Sequence, residues 1–148
     1  MTKVLVTGMS GTGKSSALRA LAARGHRTVD TDSSRWSRWE GSDWIWHEDA
    51  MTELLHAPGV LFVAGCKSNQ GRFYPLFDYI VLLSAPAPVL MARIAARTDN
   101  PYGKSPEDRA EILANLAAVE PLLRATCTLE IDAAAPLEEI VCELEALV

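Results

Sequence analysis

Short apolar runs and helically spaced apolar residues take turns along the chain. Lys3-Val4-Leu5-Val6-Thr7 is a β-rich run closed by Gly8. From Lys14, the apolar positions Ala17, Leu18, Leu21 and Ala22 recur at helical spacing until Gly25 stops them. His26 to Asp30 reads as a second strand. Ser42 or Asp43 caps a predicted helix that carries Trp44, Trp46, His47, Met51, Leu54 and Leu55 and ends at Pro58-Gly59. Val60 to Ala64 and Tyr79 to Leu83 are continuous apolar runs, the pattern of parallel strands covered on both faces. Pro88 opens a helix through Val89, Leu90, Ile94 and Ala95. Ser105-Pro106-Glu107-Asp108 has the form of an N-cap, a first-turn proline and two first-turn acids. The helix it opens is predicted to run through Leu123, with a kink or break at Pro121. Thr128 to Ile131 is a fifth strand, and Pro136 opens a closing helix.

Five strands alternating with helices predict an α/β fold whose parallel sheet has helices on both faces. No repeat, low-complexity tract or linker divides the sequence, so residues 1–148 are expected to form a single domain. Ligands of such sheets bind at the carboxyl ends of the strands. That rule puts Gly8, Asp30, Asp32, Gly65 and Ser84 along one edge.

Composition narrows the partners. A net charge of −5 with scattered basic residues argues against a nucleic-acid polymer as ligand. The apolar runs are too short to span a bilayer, so no membrane partner is expected. Cys66, Cys127 and Cys142 are odd in number, far apart and without a CxxC pair. They fit small side chains in a reducing compartment. The first strand begins within three residues of Met1, and a cytoplasmic location is the expectation.

One motif carries specific chemistry. Gly8-Met9-Ser10-Gly11-Thr12-Gly13-Lys14-Ser15 satisfies G-x-x-x-x-G-K-[ST] without substitution, after a strand and before a helix. Glycines let successive N–H groups turn inward on phosphates, and the helix adds its positive end. Lys14 reaches the β- and γ-phosphates, the Ser15 hydroxyl suits Mg²⁺, and Ser16 continues the helix start. A nucleoside triphosphate is the expected ligand, with ATP and Mg²⁺ as the cofactor pair.

The arrangement resembles the small P-loop kinases of the nucleoside monophosphate kinase and shikimate kinase group. Ala64-Gly65-Cys66-Lys67-Ser68-Asn69-Gln70, Phe77 to Leu83 with Pro86, and Arg93-Ile94-Ala95-Ala96-Arg97 carry the likeness beyond the phosphate loop. The resemblance implies a three-layer α/β/α P-loop NTPase fold, strand order 2-3-1-4-5, and transfer of the γ-phosphoryl group of ATP to a hydroxyl or phosphate of a metabolite. It implies that Arg93 and Arg97, four apart on a helix, neutralise the moving phosphoryl group beside Lys14. Arg109 and Arg124 are weaker candidates. A short lid is implied over about residues 98–106, and a base site near Ala133 to Pro136. Asp30-Thr31-Asp32 resembles the shikimate-kinase Asp-x-Asp: Asp30 would assist Mg²⁺, and Asp32 would hold or deprotonate the acceptor hydroxyl. The chain departs from both families. Lys67 stands where monophosphate kinases have arginine, the shikimate-kinase glycine run is reduced to Gly65, and Ala64 stands where adenylate kinases have an acid.

All four tryptophans fall between strands two and three, in a segment of about residues 33–57 that the resemblance makes the acceptor cover. Arg35 with Trp36 and Trp39 would suit a planar or sugar-like anionic acceptor, although the two rings would equally serve to shield a loop. Trp44 and Trp46 are expected in the core. Gly65, Lys67 and Arg72 follow a strand end that faces the cleft, and Lys67 and Arg72 are candidates for an anionic acceptor. His47 beside Glu48 is expected at a helix surface. The partner is therefore a small molecule, and the chain a monomer or weak dimer. A second reading stays open: a nucleotide-binding switch or accessory ATPase module, for which the missing acid at Ala64 leaves room.

Overall fold

The computed structural model describes residues 2–98 and 100–148. Strands β1 (Lys3–Thr7), β2 (Thr28–Asp30), β5 (Leu61–Ala64), β6 (Tyr79–Ser84) and β7 (Leu129–Asp132) form one parallel sheet in the order β2-β5-β1-β6-β7. This is the expected 2-3-1-4-5 order. The numbering differs because a separate two-stranded hairpin, β3 (Ser37–Glu40) and β4 (Asp43–Trp46), intervenes.

The central strands bury both faces. Val4, Val6, Phe62 and Leu83 pack with Leu18 and Leu21 of helix α1 (Lys14–Ala23) and with Ile140 and Leu144 of helix α5 (Leu137–Glu145). Leu5, Val63 and Ile80 face the other way, onto Trp46, Met51, Leu55 and Phe73. Met51 and Leu55 belong to helix α2 (Glu48–His56), and Phe73 to a 3₁₀ segment, Gln70–Leu76. Alternate side chains thus serve opposite layers, which requires the continuous apolar runs seen in the sequence.

Two expectations about local structure are corrected. Asp43–Trp46 is the second strand of the hairpin and not the start of a helix. Trp39 pairs with Trp44 and Ser37 with Trp46, across a Gly41-Ser42 connection in which Gly41 has φ 64°. Gly-Ser between β-forming residues is a two-residue hairpin signal, and Trp44-Ile45-Trp46 prefers strand. Helix α2 starts only at Glu48, where His47 is the N-cap: its Nδ1 accepts the Ala50 N–H at 3.2 Å. The second correction is at Pro121, which neither breaks nor ends helix α4 (Pro106–Thr126). Pro121 and Ala117, whose carbonyl loses its intrahelical donor, are both exposed, so water can replace the missing bond. The predicted cap is present, with Ser105 Oγ accepting the Asp108 N–H at 3.0 Å. Helix α3 (Ala87–Ala96) lies between β6 and the segment before α4.

Trp46 ties the hairpin to the sheet. It is fully buried, packs edge-on against Phe73 at 5.5 Å, and donates its indole N–H to Thr31 Oγ1 at 2.8 Å. Trp46→Phe deletes that donor and leaves a small void. The substitution is expected to lower unfolding stability by about 1–3 kcal/mol, read as a shifted urea midpoint.

Candidate functional site

The phosphate loop runs from the end of β1 into α1. Its N-cap Gly13 has φ 88° and makes no side-chain cap bond, so the first-turn amides of α1 remain available to an anion. Gly8 has φ 152°, and a Cβ there would lie 2.5 Å from the Leu83 carbonyl oxygen. The loop therefore depends on glycine for its approach to β6 as well as for its backbone angles. Thr12 Oγ1 donates to the Met9 carbonyl at 2.9 Å and braces the turn.

Lys14 is folded onto this loop. Its ammonium donates to the Gly8 and Met9 carbonyls at 2.6 and 3.1 Å. Burial lowers its pKa from the ordinary lysine value, while the nearby Cys66, Asp30 and Asp32 oppose that shift. A bound polyphosphate would restore the charge. Polyphosphate binding is therefore expected to take up protons on the alkaline side, increasingly as pH rises. Calorimetry of ATP binding at increasingly alkaline pH, in buffers of different ionisation enthalpy, measures this uptake; equal heats in all buffers would refute it.

Asp30 and Asp32 leave the end of β2 on the same edge. Asp30 Oδ2 accepts the Ser15 hydroxyl at 2.7 Å, and its Oδ1 accepts the Asp32 N–H at 3.2 Å. Among the described residues no cluster of three or more His, Cys, Asp or Glu could cage a metal ion. The Ser15–Asp30 oxygen pair nevertheless fits a divalent ion that draws its remaining ligands from phosphate and water. Asp32 Oδ1 accepts both the Lys67 ammonium at 2.9 Å and the Trp44 indole N–H at 3.1 Å. Desolvation alone would raise the Asp32 pKa. The Lys67 hydrogen bond and charge and the Trp44 donor outweigh it, and the carboxyl is held below its usual range.

These groups line one open cleft of about 1320 Å³. Gly8 to Ser16, at the end of central strand β1, line it; Asp32, Gly65 and Lys67 follow β2 and β5 on one side of β1, and Arg93 and Arg97 follow β6 on the other. Single-ligand pockets run to about 1,000 Å³, so the volume suits more than one small molecule. Gly65 permits this layout, because a Cβ there would lie 2.4 Å from Thr31 Oγ1 and 3.1 Å from the Trp46 ring. A separate hollow of about 550 Å³ at the β7 edge holds Arg124 paired with Glu120 and Glu130, which separates that arginine from the phosphate loop's cleft.

Arg93 and Arg97 both line the cleft, but their guanidinium groups hold protein carbonyls. Arg93 donates to Ala133 O at 2.6 Å and to Gly11 O at 3.4 Å, bridging the β7–α5 loop and the phosphate loop. Arg97 is the C-cap of α3 and donates to Tyr102 O at 2.6 Å, while its buried Nε has no partner among the described residues. The anticipated lid segment is anchored at several points. Lys104 Nζ donates to the Ala95 and Arg97 carbonyls, each at 2.6 Å, and Gly103 packs against Ile94 and Ile112. Asp99 of that segment lies outside the described residues.

Four acceptor candidates stand elsewhere than expected. Arg72 is exposed and paired with Glu48 at 2.5 Å. Arg35 lies over the Trp36 ring at 4.9 Å. Trp36 packs partly into the core, and Trp39 is 65% exposed and stacked on Trp44 at 5.0 Å. None of the four is among the cleft-lining residues described. In their place the cleft has Asp43, Ser68 and Tyr74 near Lys67, and Val119 and Leu122 of α4 toward Ala133 and Ala135. The α4 residues had no legible signal, since the helix exposes most of its length and its facing is set by packing alone. Asp43 did have one, the hairpin turn beside it.

Comparison with solved structures finds this architecture over nearly the whole chain. The chain is similar to the shikimate kinase from Acinetobacter baumannii in complex with shikimate, at TM-score 0.72 and 16% identity, covering 99% of this chain and 92% of that one. It is also similar to the shikimate kinase from Bacteroides thetaiotaomicron, at TM-score 0.70 and 17% identity, covering 99% and 97%. The gluconokinase from Sinorhizobium meliloti 1021 gives TM-score 0.67 and 21% identity, covering 98% and 90%. At such identities the likeness concerns the fold. A family model for the AAA domain matches residues 4–114, from the first residues of β1 into α4, and the chain belongs to the AAA domain family.

Proposed function

We propose that this protein is an ATP-dependent kinase that transfers the γ-phosphoryl group to a hydroxyl or phosphate of a small metabolite. The observation that carries the reading is one cleft with two differently built ends, a phosphate loop and an ordered Asp32–Lys67–Trp44 group. An accessory ATPase has no need of the second end. The likeness to shikimate kinases and a gluconokinase supports a small-molecule acceptor.

In this reading Lys14 leaves the Gly8 and Met9 carbonyls for the β- and γ-phosphates. Ser15 and Asp30 would hold Mg²⁺, which neutralises phosphate charge when bound. Arg93 and Arg97 supply the remaining positive field from α3. Asp32 accepts the acceptor O–H through Oδ2, because Oδ1 is already held by two donors. Its lowered pKa makes it a better orienting group than a proton store, which suits a loose phosphoryl transition state. The segment of residues 33–57 covers the acceptor end, and the segment of residues 98–106 acts as a short lid.

The test is phosphorus NMR of MgATP incubated with the protein and a panel of hydroxylated metabolites. Acceptor-dependent ADP with a new phosphomonoester is expected. Equal ADP with and without acceptors, accompanied only by inorganic phosphate, would overturn the kinase reading. It would favour the accessory module, for which the exposed Trp39 would serve as a partner contact.

A further inference from the structure

The acceptor end of the cleft is built to receive hydrogen-bond donors, and its cations are already committed. Two carboxylates, Asp32 and Asp43, line it. Asp32 Oδ1 is occupied, which leaves Oδ2 to accept. Asp43 Oδ2 accepts the Ser68 hydroxyl at 2.7 Å, so Ser68 Oγ also faces a ligand as an acceptor. Among the described residues no ion pair involves Asp43. Lys67 is the one cation the described cleft lining contributes from the hairpin and the β5–3₁₀ connection, and it is paired with Asp32. The remaining cleft cations, Lys14, Arg19, Arg93 and Arg97, lie on α1, on α3 and at the α3 C-cap, where the proposed reading puts the phosphates. The arginines that would have drawn an anion, Arg35 and Arg72, are engaged outside the cleft.

A carboxylate or phosphate offers only acceptor oxygens. At this end it would meet two carboxylates and a lysine whose charge is already compensated. A polyol bearing an ammonium offers donors to both carboxylates and to Ser68, and a neutral polyol offers hydroxyl donors without repulsion. We infer that the acceptor subsite selects an uncharged or amine-bearing polyol over a carboxylate- or phosphate-bearing one, with Asp43 as the residue that sets the charge preference. The inference rests on the kinase reading for the word acceptor. The charge preference itself is a property of the cleft.

Three six-membered carbocyclic polyols separate charge from shape: streptamine (an amine), myo-inositol (neutral) and shikimate (a carboxylate). All four tryptophans lie in residues 36–46, so intrinsic fluorescence of the full chain with MgADP reports on this end. Streptamine is expected to bind about tenfold more tightly than shikimate at low salt, with myo-inositol between them. Asp43→Asn keeps an oxygen for Ser68 and should bring the streptamine-to-shikimate ratio close to one. Asp49→Asn, on the exposed face of α2, should leave the ratio unchanged and controls for general attraction to an acidic protein. Equal or tighter binding of shikimate, an unaltered ratio in Asp43→Asn, or no binding by any of the three would overturn the inference. Phosphorus NMR on the same mixtures separates the two claims. Phosphorylation of shikimate in preference to streptamine and myo-inositol would uphold the kinase reading and refute the charge preference. The expected binding order without transfer to any acceptor would do the reverse.

Discussion

Replacing Lys14 by alanine is expected to lower acceptor-dependent ATP turnover by about a thousandfold or more, with the thermal midpoint changed by no more than a few degrees. Lys14 is the one charged side chain of the phosphate loop, residues 8–15. Its ammonium rests 2.6 Å from the Gly8 carbonyl and 3.1 Å from the Met9 carbonyl, both part of the loop itself. The lysine therefore reaches from the helix start back across the loop, and in the proposed reading phosphate would replace those carbonyls as its partner. Burial already disfavours the charged form, so the folded protein gains little stability from it. Truncation leaves the Gly8 and Met9 carbonyls to water and keeps Ala17, Leu18 and Leu21, which dock α1 on the sheet. The check is steady-state turnover together with thermal unfolding of the same preparations. Wild-type turnover in Lys14→Ala would remove the loop from the chemistry, whereas a collapsed midpoint would mean that the lysine holds the fold.

Asp32→Asn is expected to reduce kcat by about a hundredfold or more while changing the KM for ATP by no more than about twofold. The amide keeps an oxygen for Lys67 and Trp44, but it loses the negative charge that, in the proposed reading, orients the acceptor hydroxyl. Lys67 is then left without a counter-charge at a mostly buried position. The pH profile gives an independent reading. Lys67 and Trp44 hold the Asp32 carboxyl below its ordinary range, so the acid limb of kcat/KM is expected below about pH 3.9. Trp44→Phe removes one of the two donors and should move that limb upward. The stability linkage has the matching sign. A depressed carboxyl pKa in the folded state contributes stability above the unfolded pKa, and that contribution is lost as pH falls through the folded value. Full turnover by Asp32→Asn would remove this residue from the mechanism and leave Asp32 a structural partner of Lys67.

The phosphate loop is legible because its pattern is local. A strand, a glycine-rich turn and a helix start occupy contiguous residues, and first-turn amides are left open to an anion, so the motif and its geometry coincide. The alternation of apolar runs with helical spacing was equally local, and it led to the parallel sheet and its order. The hairpin reads as helix in the sequence because the apolar spacing at Trp44, Trp46, Met51 and Leu54 is compatible with either period over so few residues. The Gly41-Ser42 turn was the signal that would have separated them.

The Asp32–Lys67 end of the cleft cannot be read in the same way, because it is assembled from residues far apart in sequence. Lys67 meets Asp32 across 35 positions, and Asp43 meets Ser68 across 25. Whether an arginine serves a ligand depends on which carboxylate or carbonyl reaches it first. Arg72 is taken by Glu48, Arg35 lies on Trp36, and Arg93 spans two loops. A side chain's type fixes what it can bind, but only folding fixes which partner is near enough to compete for it. By itself the sequence determined the phosphate loop, the sheet that carries it and the edge on which Asp30 and Asp32 emerge. Only the tertiary structure decided which of the cleft's charges are neutralised by the protein itself, because ion pairing is settled by distance in space and leaves no periodic trace along the chain.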